Sequence, residues 1–143
     1  MSRRHLVLLC LPILGGAACV GGTDVPAVTI WETQLDPELT HPDVGGQAAA
    51  VSEPSGTSVG ILVTGAEPGE VHAWGLRLGT CATPGTQIGP ASDYPDLVVG
   101  LEGGAERDTH LGSRLSLDQS YHIEVRVSAA DAARVACGDL VAR

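Results

Sequence analysis

The fold is decided by the stretch Trp74-Gly75-Leu76-Arg77-Leu78-Gly79-Thr80-Cys81 and by a second one, Arg134-Val135-Ala136-Cys137-Gly138-Asp139-Leu140. Both stretches are rich in the aliphatic residues of a β-strand, and each brings a cysteine close to a glycine. Large apolar residues recur at every second position of the first stretch, which is the period of a strand with one buried face. We therefore expect two strands of one all-β domain, each carrying a cysteine near its end.

The first strand begins before Trp74, and its side chains divide between two faces. One face carries His72, Trp74, Leu76 and Leu78, and the other carries Ala73, Gly75 and Arg77. Residues 121–128 divide in the same way, with Tyr121, Ile123, Val125 and Val127 opposite His122, Glu124, Arg126 and Ser128. We expect each strand to have a core side and a solvent-exposed side, so that His122 and Glu124 form an exposed pair.

Turn-forming residues divide the rest of the chain at short intervals. The predicted strands are 28–35, 47–52, 57–64, 71–78, 97–101, 109–117, 121–128 and 135–140. Residues 81–95 are expected to form a long loop, and residues 129–134 to form one helical turn. Strands at this spacing are typical of an antiparallel sandwich or barrel.

The first 18 residues have the layout of a secretory signal peptide. Arg3 and Arg4 precede an apolar run over residues 6–14, and small residues follow before Cys19. The apolar run is shorter than the ~20 residues that a membrane-spanning helix needs. Cleavage before Cys19 and lipidation of that cysteine are expected, with residues 19–27 as a tether; ordinary cleavage after Ala18 is the alternative. The protein is therefore predicted to be exported to the cell envelope, as a membrane-anchored lipoprotein or as a periplasmic or extracellular protein.

Charge and cysteine content limit the partners and the redox state. All 17 acidic residues lie after Cys19 but only six of the eight basic ones do, so the exported part carries a net charge of −11. Such an acidic chain is not expected to bind nucleic acid or anionic lipid, and a lipid anchor would be its one link to a membrane. Cys81 and Cys137 are the cysteines that remain beyond the processing site, and a disulfide between them is expected after export.

The two cysteine stretches, together with Tyr94-Pro95-Asp96-Leu97 in the long loop, resemble a copper/zinc superoxide dismutase-like domain over residues 28–140. Bacterial chordin-type domains share some of these traits and are a related alternative. The resemblance implies an all-β fold over residues 28–143, a Greek-key antiparallel barrel or sandwich of about eight strands with one intrachain disulfide.

The same resemblance shows that the family's metal ligands are missing. In active members a His-x-His pair before the first cysteine binds copper, and a gap-free alignment places Gly75 and Arg77 at these positions. A later copper histidine position holds Arg126, while Asp96 matches a zinc aspartate and Asp93 stands where a zinc histidine is expected. Because a guanidinium offers no lone pair to a metal, we expect no cofactor.

The expected function is that of a non-catalytic binding or structural protein of the envelope, with an unknown protein or small ligand as partner. In the family, an arginine three residues before the second cysteine guides superoxide to copper, and Arg134 stands there. The candidate interaction surface comprises Gly75, Arg77, Glu124, Arg126 and Arg134. The alternative is a divergent dismutase or metal-binding protein that holds copper or zinc with His72, His110, His122 and Asp96.

Overall fold

A computed structural model describes residues 27–143, which form ten β-strands and one short 3₁₀ turn. The strands are β1 (Thr29–Pro37), β2 (Gly45–Glu53), β3 (Gly56–Thr64), β4 (Val71–Gly79), β5 (Pro84–Gln87), β6 (Leu97–Val98), β7 (Ala105–Leu111), β8 (Tyr121–Arg126), β9 (Arg134–Asp139) and β10 (Val141–Ala142). The 3₁₀ turn covers Ala91–Asp93. No helix in this part of the chain is long and apolar enough to cross a membrane.

All strand pairs are antiparallel and belong to one curled sheet. The order is β5-β4-β8-β9-β1-β2-β3-β7, with β6 beside β4 and β10 beside β1. The prediction of an all-β antiparallel barrel or sandwich of about eight strands with one disulfide is therefore confirmed. The signal-peptide and lipidation predictions, including Cys19, lie outside the described residues.

The core is aliphatic, with two aromatic pairs that join distant segments. Trp31 packs edge-on against Tyr121 and Trp74 against Tyr94, with ring centroids 5.3 and 5.1 Å apart. The same core contains the fully buried aliphatic side chains Leu76, Leu97, Leu111, Ile123, Val59, Val63, Val125 and Val135. The core side predicted for β4 and β8 thus faces the interior as expected.

Three sequence predictions fail in detail. The strand predicted at residues 109–117 is instead β7 (Ala105–Leu111). The turn at Gly100–Gly103 ends before residue 105, so the strand begins earlier than predicted, and residues 112–120 form turns. The predicted loop 81–95 contains β5 and the 3₁₀ turn. Residues 129–134 do not form a helical turn, since the Ser128 hydroxyl accepts hydrogen bonds from the Ala130 and Asp131 amides and folds the segment into a bend.

Cys81 and Cys137 form the expected disulfide, with Cα atoms 6.0 Å apart. The bridge fastens the segment that follows β4 to the middle of β9. Strands β4, β8 and β9 are neighbours in the sheet, and the disulfide links the first of them to the last. The candidate site lies on these three strands.

Candidate functional site

The outer face of β4 and β8 carries most of the predicted interaction surface. Gly75 lies directly opposite Glu124, and Ala73 lies directly opposite Arg126. Arg77 is likewise opposite His122. Because side chains at paired positions point to the same side of a sheet, these residues share one face. We call Gly75, Arg77, Glu124, Arg126 and Arg134 the arginine face.

The arginine face is partly covered, which corrects the expectation of a solvent-exposed side. Glu124 is 6% exposed and His122 is fully buried, so they are not an exposed pair. Part of the cover comes from the segment after β4. Oε1 of Gln87 lies 2.8 Å from the point where a Cβ at Gly75 would stand, and the Gly85 carbonyl accepts a hydrogen bond from Arg77.

Glu124 is shared by two arginines. Arg77 Nη1 donates a hydrogen bond to Glu124 Oε1 over 3.1 Å, and Arg126 Nε lies 3.6 Å from the same oxygen. The longer distance fits an ion pair but exceeds a hydrogen bond. In agreement with this, Arg126 Nε has no hydrogen-bond partner within the described chain. Two cations around one anion leave this cluster with one net positive charge.

The two arginine side chains of the cluster are partly exposed, although Arg126 Nε itself is buried. The Arg77 side chain is 25% exposed and that of Arg126 is 19% exposed, against 8% for Glu124. The carboxylate is thus the least exposed member of the cluster, and it neutralises only one of the two cations.

Arg134 supports the disulfide connection. Its Nη2 forms an ion pair with Glu38 at 2.9 Å, and its Nη1 donates to the Cys81 carbonyl at 2.5 Å. From the other side, the Cys81 amide donates to Asp139 Oδ1 at 2.6 Å. Arg134 lies opposite Arg126 across β8 and β9. It is therefore part of the arginine face, but two of its nitrogens are already engaged by the protein.

His122 is a buried histidine without hydrogen bonds. It lies on the arginine face between Arg77 and Asp139, the residues opposite it on the two neighbouring strands. Neither ring nitrogen has a partner among residues 27–143. An unsatisfied buried polar group of this kind costs about 1–3 kcal/mol. This burial could not be predicted, since alternation along β8 placed His122 on the side expected to face solvent.

The other metal-ligand candidates lie in separate places. Both nitrogens of the buried His72 are engaged, Nδ1 with the carbonyls of Arg126 and Val127 and Nε2 with Glu70 at 3.2 Å. His110 is exposed on β7, where its Nδ1 lies 3.2 Å from the Ser58 hydroxyl.

Asp96 is exposed just before β6. The described residues contain no group of three or more His, Cys, Asp or Glu side chains arranged to hold a metal. His72, His110, His122 and Asp96 are therefore not brought together.

Tyr94 closes the long loop over the core. Its hydroxyl donates to the Ile88 carbonyl at 2.5 Å, and the Trp74 indole nitrogen donates to the adjacent Pro95 carbonyl at 2.8 Å. Burial raises the pKa of Tyr94 to about 12. Tyr94 and Trp74 thus fix the loop segment that leads to Asp96 through one side-chain hydrogen bond each.

No protein-family model matches the chain, and no curated protein matches it.

Proposed function

We propose that the chain is an exported, lipid-anchored module of the cell envelope that binds an anionic partner through its arginine face and catalyses no reaction. Its scaffold in this proposal is a superoxide dismutase-like Greek-key barrel without a competent metal site. The signal-peptide layout of residues 1–18 and Cys19 support export and anchoring. The curled antiparallel sheet and the disulfide are consistent with the scaffold.

The observation that carries the binding function is the shared carboxylate of Glu124. Arg77 and Arg126 both approach its Oε1, so one positive charge is left over on a chain whose net charge is −9. Arginine is the residue best suited to planar recognition of carboxylate or phosphate groups. The expected ligand class is therefore a carboxylate or phosphate group on a small molecule or on a protein surface.

The same residues argue against redox catalysis at this face. Arginine at the family's copper positions cannot ligate a metal and repels one. His122, which does lie on the face, stands opposite Arg77 and Asp139, and neither of these neighbouring positions holds a histidine. This is the basis for a non-catalytic role.

The binding proposal is tested by replacing the two cations together. A variant with Arg77→Gln and Arg126→Gln should lose affinity for inorganic phosphate and for a small dicarboxylate, measured by isothermal titration calorimetry. The control is Arg107→Gln, which removes an arginine on β7. Equal binding by the double variant and the unmodified protein would refute the arginine face as the binding site, and so would equal loss in the control.

The anchor is tested separately. Cys19→Ser should release the protein from membranes during cell fractionation, whereas Cys10→Ala, within the predicted signal peptide, should leave it bound. Membrane retention of the Cys19→Ser protein would contradict lipidation at this position.

A further inference from the structure

Several parts of the chain meet at the end of the curled sheet where β1 begins. Thr29 at the start of β1 lies opposite Ser52 near the end of β2. The Leu115 amide donates a hydrogen bond to Ser52 Oγ over 2.9 Å, which fastens residues 112–120 to the same end. We call it the tether end because Ala27, the last residue of the predicted tether, lies here. It comprises residues 27–30, the turn 53–56, residues 112–120 and Arg143.

Three large apolar side chains are exposed at the tether end. Val28, Ile30 and Leu117 are 51%, 44% and 69% exposed. Val28 and Ile30 stand at alternate positions, so they lie on the same side of the sheet. Single exposed apolar residues are common on protein surfaces. These three are informative because they lie where the chain leads to its predicted lipid anchor.

The opposite end of the sheet is strongly acidic. The connections 38–44, 65–70 and 99–104 meet there, since the Ala66 amide donates to the Gly103 carbonyl over 3.1 Å and Gly65 lies against the Asp43 carbonyl. These connections contain no arginine and five acidic residues, Glu38, Asp43, Glu67, Glu70 and Glu102. Of the five, only Glu38 forms an ion pair with an arginine in the described chain. This end would be repelled by a surface that carries negative charge.

The tether end is balanced in charge. Arg114 and Arg143 stand there against Glu53 and Asp118, and all four residues are exposed. On a chain with a net charge of −9, the tether end can therefore approach lipid phosphates at a lower electrostatic cost than the opposite end can.

Both arginines lie beside the exposed apolar side chains. The Arg143 amide donates to the Ile30 carbonyl over 2.8 Å, and the Arg143 side chain is 70% exposed although it pairs with Glu32. Arg114 Nη2 donates to the Ala27 carbonyl over 3.4 Å. Arginine packs its alkyl stem against apolar groups while its guanidinium binds phosphate, which suits it to a layer of lipid headgroups.

The predicted tether keeps this end of the sheet close to a membrane. Ala27 follows Cys19 by eight positions. Eight residues span at most about 29 Å when they are fully extended. A lipid on Cys19 would therefore hold the tether end within that distance of the bilayer. At such short range even a weak contact becomes populated, because the binding event is intramolecular.

We infer that the tether end lies against the bilayer that holds the anchor, with Val28, Ile30 and Leu117 at the boundary between headgroups and acyl chains. In this orientation Arg114 and Arg143 bind lipid phosphates, and the acidic end points away from the membrane. Apolar side chains combined with arginine are typical of surfaces that lie in a membrane interface. The inference rests on the proposed lipid anchor and adds a second link to the membrane, made by the folded domain itself.

The inference is tested with tryptophan reporters in the lipidated protein, reconstituted into vesicles of phosphatidylcholine that is brominated on its acyl chains. Ile30→Trp should be quenched by bromine severalfold more than Val98→Trp, the matched control. Val98 is an exposed valine beside the acidic end, where β6 pairs with the start of β4. The native Trp31 and Trp74 are buried and give the same background in each variant.

A second pair of reporters avoids any change within a strand. Leu117→Trp and Leu101→Trp both replace exposed leucines in turns, one at each end of the sheet. Leu117→Trp should be quenched and Leu101→Trp should not. Adding Arg114→Gln to Leu117→Trp should reduce the quenching, whereas adding Arg107→Gln, on β7, should leave it unchanged.

Vesicle flotation separates the inference from the anchor. A protein that floats with the vesicles but is quenched equally at both ends would leave the anchor in place and overturn the inference. A shift of emission to shorter wavelength without quenching would mean that another protein surface covers the tether end, and would also overturn the inference. A protein that does not float with the vesicles would overturn the anchor and the inference together.

Discussion

Arg77 on β4 donates a hydrogen bond to Glu124 on β8, over 3.1 Å from Nη1 to Oε1, and this contact ties the two strands together across a buried face. Glu124 is also the only carboxylate within ion-pair distance of Arg126 in the described chain. Removing its charge leaves two partly buried cations without a counter-charge. The carboxylate is therefore expected to contribute to stability as well as to the charge of the arginine face.

The first prediction concerns that carboxylate. Glu124→Gln should lower the free energy of unfolding by about 2 kcal/mol, less than for a fully buried pair because both arginines reach solvent. Urea denaturation followed by tryptophan fluorescence measures the change. Glu102→Gln serves as the control and should leave stability unaltered. A Glu124→Gln protein as stable as the unmodified one would show that the two ion pairs of Glu124 do not stabilise the fold.

The second prediction contrasts two buried histidines. His122→Leu should leave stability unchanged or raise it by about 1 kcal/mol, because it removes two ring nitrogens that have no partners. His72→Leu should lower stability by about 1–3 kcal/mol, because His72 contacts two carbonyls and Glu70.

Both histidine variants are compared by urea denaturation at neutral pH. Since the two side chains are buried to a similar extent, they differ chiefly in hydrogen bonding. A large loss of stability in His122→Leu would mean that its ring nitrogens do have partners in solution.

The third prediction concerns the disulfide, which links residues 56 positions apart. Replacing both Cys81 and Cys137 by alanine should cost about 4 kcal/mol in the chain-entropy account of cross-links. Reduction of the unmodified protein should have the same effect in equilibrium unfolding. If the double variant loses less than about 1 kcal/mol, the hydrogen bond that Arg134 donates and the one that Asp139 accepts hold the connection without the bridge.

The fourth prediction concerns pH. The pKa of Tyr94 is raised to about 12 by burial, above the ordinary value of 10.0. A raised pKa means that the folded protein holds the phenolic proton more tightly than the unfolded chain does. The stability contribution is therefore fully present below pH 10 and is lost as pH rises toward 12.

The tyrosinate absorbance of the folded protein and its stability at alkaline pH test this directly. In Tyr94→Phe, the loss of stability between pH 10 and 12 should be smaller than in the unmodified protein. Tyr121→Phe is the control, since Tyr121 is the other tyrosine of the chain. An alkaline transition that is unchanged in Tyr94→Phe would contradict the assignment.

The buried apolar faces of the strands could be predicted from the sequence. Whether the opposite, polar faces are exposed or buried could not. Alternation around Trp74 and Ile123 correctly identified the core side of β4 and β8. It could not show that the opposite side is buried too, because the covering contacts come from Gly85 and Gln87, a separate segment. Gly75 was the one local hint, since it leaves room for the Gln87 side chain.

Strand β7 was misplaced for a related reason. Only Ala105 and Leu111 of its seven residues are apolar, and the five polar residues between them conceal the strand. The glycine-rich turn before it fixes the start, with Gly103 at a φ of 75°. The ion pair between Glu32 and Arg143 could not be predicted either, because the two residues are 111 positions apart in the chain and meet through the pairing of β10 with β1.

The absence of a resident metal at the arginine face is the central claim, and metal content tests it most directly. The oxidised protein is refolded with excess copper and zinc, dialysed extensively, and analysed by inductively coupled plasma mass spectrometry. The account predicts far less than one copper or zinc per chain, in the unmodified protein and in Arg77→Gln alike. Copper retained at close to one per chain after dialysis would contradict the account and assign His122 and its neighbours to a metal site.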